Sequence, residues 1–93
     1  MNTQDTTQMK IKELRERAKH LEPAIRLGKN GLTDNVIEEI KKRLKKDNMI
    51  KIKMLNTFID NNDKKQAAKD LAEKTDSILV DRVGFVVVLL KKA

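Results

Sequence analysis

Ninety-three residues suffice for one compact domain, since a chain of this size buries only ~60–65% of its unfolded surface and has room for a single core. With no cysteine and one histidine, neither a disulfide framework nor a thiolate metal site is available, and nothing in the sequence supports a Ser–His–Asp or Cys–His set. Lysine and arginine number 21 against 14 acidic residues, a net charge of +7, and nine bases against four acids fall between Arg26 and Lys53. That imbalance points to a polyanionic partner, of which nucleic acid is the commonest.

Residues 1–8 are polar, lack apolar periodicity and read as a flexible leader, which leaves 9–93 as a single domain. From Met9 to His20, the apolar residues Ile11, Leu14 and Ala18 recur at three- and four-residue steps, the period of an amphipathic helix. Pro23 pushes Glu22 toward an extended conformation and ends that helix. Ala24 to Leu27 then forms a short strand, with Ile25 and Leu27 on one face and Arg26 on the other. A second helix is predicted from Asp34 to about Lys46, with Val36, Ile37, Ile40 and Leu44 on one stripe. Thr33 and Asp34 suit its start, and the bases Lys41, Lys42, Arg43, Lys45 and Lys46 suit its negative end.

Asp47 and Asn48 mark a turn, after which Met49 to Leu55 alternates as a strand. Ile50, Ile52 and Met54 face the core, and Lys51 and Lys53 stand side by side on the open face of the sheet. A loop is expected around Thr57 to Asp60. A third helix then runs from Asn61 to Thr75, with Ala67, Ala68, Leu71 and Ala72 inward. Two final strands, Ser77 to Val83 and Phe85 to Leu90, join through Gly84 in a tight hairpin. The expected fold is therefore α/β in the two-layer sense, in the order αβαβαββ, with the helices stacked on one face of a four-stranded mixed sheet.

The candidate site is Gly28-Lys29-Asn30-Gly31, at the hand-over from strand to helix. Glycine tolerates φ > 0 and lets another backbone approach, so Gly28 and Gly31 can bend the chain tightly. Thr33 caps the helix that follows, whose first N–H groups carry partial positive charge, and Lys29 adds a full charge beside them. Such a site suits an anion. Neither GxxxxGK[ST] nor GxGxxG is present, so the known nucleotide loops are excluded. His20, at the end of the first helix, suits a surface role better than a catalytic one. Asp60, Asp63, Asp70 and Glu73 do not follow a calcium-loop spacing. We therefore expect no catalytic residue, metal or cofactor. The aromatic residues are Phe58 and Phe85 alone, too few for a stacking sheet and expected in the core or at an edge. What remains is a phosphate clamp of the G-x-x-G kind, with which KH domains hold single strands.

The stretch from Leu21 through Pro23, Gly28 and Gly31 to Thr33, the following helix with Val36, Glu39 and Ile40, and the strand Ile50-Lys51-Ile52-Lys53 resemble the CRM family (chloroplast RNA splicing and ribosome maturation). The likeness is to its single-domain, YhbY-like members and spans about Met9 to Lys91. It implies a fold similar to the C-terminal domain of translation initiation factor three. It also implies RNA binding through Gly28, Lys29, Asn30 and Gly31, with Lys51 and Lys53 at the basic strand positions. Charge adds Arg26, Lys41, Lys42 and Lys45 to the RNA-binding set. With one copy of the domain, a role in large ribosomal subunit assembly is expected over intron splicing, for a cytoplasmic monomer that binds ribosomal or pre-ribosomal RNA. The alternative is a module that docks acidic protein surfaces with the same basic face.

Overall fold

The computed structural model describes residues 3–59 and 63–92. In chain order, α1 (Thr3–Ala18) leads to β1 (Pro23–Leu27), α2 (Asp34–Asp47) and β2 (Met49–Met54). The short α3 (Asn56–Ile59), α4 (Lys64–Lys74), β3 (Ser77–Val83) and β4 (Val86–Lys91) follow. Helix α1 starts several residues before the periodic stretch, so its first turns occupy part of the expected leader. Where a loop was expected after β2, the chain makes one helical turn, which buries Phe58. Part of that loop and the start of the expected third helix, 60–62, lie outside the described residues.

The strands form one mixed sheet in the order β1-β2-β4-β3. β1 pairs parallel with β2, and β4 runs antiparallel to both β2 and β3. A parallel pair needs a crossover, which α2 supplies. One sheet face carries Ile25, Leu27, Ile50, Ile52, Met54, Val87 and Leu89. These pack with Ile40 and Leu44 of α2, Phe58 of α3, and Ala67, Ala68 and Leu71 of α4 in a single cluster. The inward residues expected of this helix, Ala67, Ala68 and Leu71, are buried there, with Ala72 packed against them.

The helices do not all stack on one face. Along β4 the alternation puts Val86, Val88 and Leu90 opposite the main core, and Met49 of β2 pairs with Leu90. Ala18, Val80 and Val88 form a second buried cluster there, joined by Leu14, Met49 and Leu90. Helix α1 therefore covers the reverse of the sheet. The cause is the apolar run Val86 to Leu90, which has no polar side: a central strand buried on both faces needs cover on both. A bulge between Leu79 and Asp81 turns Val80 into this cluster. Arg15 anchors α1 over it, donating from Nε to the Val80 carbonyl (3.3 Å) and lying 3.8 Å from Asp81 Oδ2.

Candidate functional site

The loop between β1 and α2 is built from the glycines outward. Leu27 is held in the sheet, its carbonyl accepting from the Leu55 N–H (2.8 Å), and the Gly31 N–H donates to the Gly28 carbonyl (3.1 Å). That bond closes a four-residue turn with Lys29 and Asn30 exposed at its tip, and it commits the Gly31 N–H within the turn. The two glycines differ. Gly31 has a φ of 72°, and a methyl group on it would meet nothing within 4 Å. Gly28 has no left-handed φ, and its methyl would lie 3.5 Å from Thr57 Oγ1 and 3.7 Å from Leu55 Cδ1, in ordinary contact.

Helix α2 then begins as its sequence predicts. Thr33 is extended (φ −73°, ψ 161°), its Oγ1 accepts from the Val36 N–H at 3.2 Å, and its carbonyl accepts from the Ile37 N–H at 3.0 Å. The loop thus sits beside a helix N-terminus and beyond the C-terminal ends of two parallel strands, where open α/β sheets bind ligands.

On the reverse face of the sheet, Arg26 is the register partner of Lys53, and both are exposed. Strand alternation aims their side chains to the same side. Lys51 lies on that face too, but it is half-buried beside a groove of about 520 Å³ between α1 and the sheet, lined also by Lys12, Arg15, Val86 and Val88. Lys51 and Lys53 share a face as expected, yet that face is partly roofed by α1 rather than open.

The α2 bases divide from the loop. Fourteen residues make a helix ~21 Å long, so Lys45 stands at the far end from Thr33. There Lys41 and Lys45 border a cleft of about 370 Å³ with Lys91, Lys92 and Asp76. Lys92 Nζ is 2.9 Å from Asp76 Oδ1, Lys41 Nζ is 3.6 Å from Glu38 Oε1, and Arg43 pairs with Asp47 at 3.2 Å. Lys42 is exposed between the two ends. Lys41 and Lys45 thus lie away from the turn, whereas Arg43 and Lys46 line a cleft that Lys51 also borders.

Two residues that sequence reasoning did not assign to the site stand at the loop end. Phe85 is 44% exposed in the β3–β4 hairpin, and Lys64 Nζ lies 4.6 Å from its ring centroid. The signal was Gly84, which places the next residue at a hairpin apex. Among the described residues, no group of three or more His, Asp or Glu side chains could hold a metal ion. The buried Thr75 and Ser77 hydroxyls are 2.7 Å apart, and Thr75 Oγ1 also donates to the Leu71 carbonyl at 2.6 Å, so both are structural.

A family model of the CRS1 / YhbY (CRM) domain matches residues 7–91. A Methanocaldococcus jannaschii protein named a probable RNA-binding protein is 37% identical over 78 residues, 84% of this chain and 58% of its own length. The chain therefore spans less than two thirds of that relative. A Bacillus subtilis protein, also named a probable RNA-binding protein, is 35% identical over 80 residues, covering 86% of this chain and 81% of its own. The solution structure of a hypothetical Staphylococcus aureus protein superposes with a TM-score of 0.74 at 32% identity, over 89% of this chain and 84% of the other. With the match running from α1 through β4 and the fold shared at that identity, this chain belongs to the CRS1 / YhbY (CRM) domain family.

Proposed function

We propose that this chain is a non-catalytic RNA-binding protein that grips the RNA backbone at the Gly28–Gly31 turn. The observation that carries this reading is the exposed Lys29-Asn30 tip, held beside the capped N-terminus of α2, at the end of the sheet toward which the Arg26–Lys53 pair lies. Lys29 neutralises one phosphate in contact with N–H donors of the tip, and Arg26 and Lys53 neutralise neighbours on the same strand. Lys51 contributes from the groove edge. The names of the relatives support RNA as the partner, the family resemblance supports a role in large ribosomal subunit assembly, the high net charge supports a monomer, and the lack of cysteine suits a reducing cytoplasm. The distant Lys41 and Lys45 act as a separate, weaker contact.

The test is a fluorescence-anisotropy titration of a structured ribosomal RNA fragment across several salt concentrations. Contacts to four to six phosphates give a slope of log affinity against log salt of roughly −3 to −5. The double variant Lys29→Asp/Asn30→Asp, with native circular dichroism, is expected to lose most of its affinity and to show a shallower slope. Lys41→Glu/Lys45→Glu is expected to lose less. A loop variant that binds as the wild type does, or a wild-type slope near zero, overturns the clamp.

A further inference from the structure

The exposed phenylalanine at the loop end has a geometry that the phosphate clamp leaves unused. The strand β2 ends between two neighbours: the Leu55 N–H donates to the Leu27 carbonyl on one side, and the Met54 N–H donates to the Phe85 carbonyl (2.7 Å) on the other. The glycine turn after Leu27 and the hairpin apex at Phe85 therefore flank the same sheet end. With strands ~4.8 Å apart, the two are separated by ~10 Å across β2, a gap that an RNA strand held at the turn crosses within a few nucleotides.

The hairpin presents Phe85 by design of its turn. Val83 pairs with Val86, leaving Gly84 and Phe85 as the two central residues, and Gly84 has a φ of 57° while Phe85 does not adopt a positive one. That sign pattern belongs to a type II′ turn, in which glycine takes the first corner. The second corner lies outside the alternation of the ladder, and Phe85 there is 44% exposed. Lone exposed apolar residues are ordinary. This one is set apart by the Lys64 ammonium 4.6 Å from its ring centroid, a cation–π contact from the first turn of α4. An aromatic face beside a cation, next to an anion-binding turn, is the pair of groups that a nucleotide requires: a surface for the base and a charge for its phosphate.

We propose that Phe85 is the stacking platform for one unpaired base of the RNA strand held at the Gly28–Gly31 turn, with Lys64 taking the adjoining phosphate. This rests on the RNA-binding reading above and adds to it a preference for single-stranded over fully paired RNA at this end of the molecule. Stacking on one ring is sequence-tolerant, because every base has a π-face.

The composition makes the test direct. The chain has no tryptophan or tyrosine, so Phe85→Trp creates a single fluorophore at the platform. A mixed-sequence single-stranded RNA octamer is expected to quench it saturably, over the same concentrations that raise the anisotropy of the labelled octamer. An abasic octamer of equal length is expected to bind without quenching. In parallel, Phe85→Leu with native circular dichroism is expected to lose about five- to a hundredfold in affinity for the octamer with bases and less than about twofold for the abasic one. If the octamer binds and the tryptophan stays unquenched, or Phe85→Leu binds both octamers as the wild type does, stacking is overturned while RNA binding stands. If the wild type binds no RNA of either kind, the RNA-binding reading fails and the platform with it.

Discussion

The two glycines of the turn look equivalent in the sequence, and the structure predicts that they respond oppositely to alanine. Gly31 holds a φ of 72°, a region that costs an L-residue roughly 1–2 kcal/mol. The stiffer unfolded chain of an alanine variant offsets ~0.4–1 kcal/mol of that, leaving Gly31→Ala about 1 kcal/mol less stable. For a domain of this size the loss lowers Tm by about 4–8 °C. Gly28→Ala places a methyl group 3.5 Å from Thr57 Oγ1 and 3.7 Å from Leu55 Cδ1, ordinary contact with no left-handed backbone. Only the unfolded-state term then applies, and the variant is expected to match the wild type or exceed it by up to ~1 kcal/mol.

Binding separates the two positions a second time. The methyl group of Gly31→Ala enters open space on the turn proposed to hold the phosphate, and RNA affinity is expected to fall along with stability. The methyl of Gly28→Ala points at α3 and leaves affinity unchanged. Thermal denaturation followed by circular dichroism reads the first effect, and anisotropy well below Tm reads the second. Gly31→Asn, which tolerates the left-handed region better, is expected to recover part of the lost Tm. Equal losses at both positions, or a larger loss at Gly28, would refute the asymmetry.

Two further outcomes follow from the helices. Thr33→Ala removes the oxygen that accepts from the Val36 N–H and is expected to cost about 1 kcal/mol, seen as a lower denaturation midpoint in urea at unchanged m-value; Thr33→Ser should restore most of it. Native-state hydrogen exchange should show amides of α1 exchanging faster than those of β2 and β4, because α1 is held by the small cluster of Ala18, Val80 and Val88 while those strands are central and buried in the main core. Protection of α1 equal to that of β2 would mean that the helix unfolds only with the whole domain.

The bases of α2 show how far charge alone carries a site prediction. From the sequence, Arg26, Lys29, Lys41, Lys45, Lys51 and Lys53 form one excess of positive charge in one stretch of chain. In the folded molecule Arg26 and Lys53 are register partners, whereas Lys45 belongs with Lys91 and Lys92 about a helix length away. Sequence proximity on a long helix does not keep charges together, because each residue advances the chain 1.5 Å along an axis that leads away from the loop.

By itself the sequence determined what depends on contacts within a few residues. The Pro23 stop, the Gly28–Gly31 turn, the Thr33 cap and the Gly84 hairpin are each closed by hydrogen bonds or backbone preferences spanning at most four positions. The inward stripes of α2, β2 and α4 follow likewise from the period of each element. Tertiary structure alone decided the strand order, the placement of α1 on the reverse of the sheet, the Val80 bulge beneath Arg15, and the meeting of Lys64 with Phe85. An element's periodicity says which of its own faces is apolar but not which partner will cover it. That choice is made by the burial of the whole sheet, and here a central strand apolar on both sides drew one helix to the face its sequence neighbours leave uncovered.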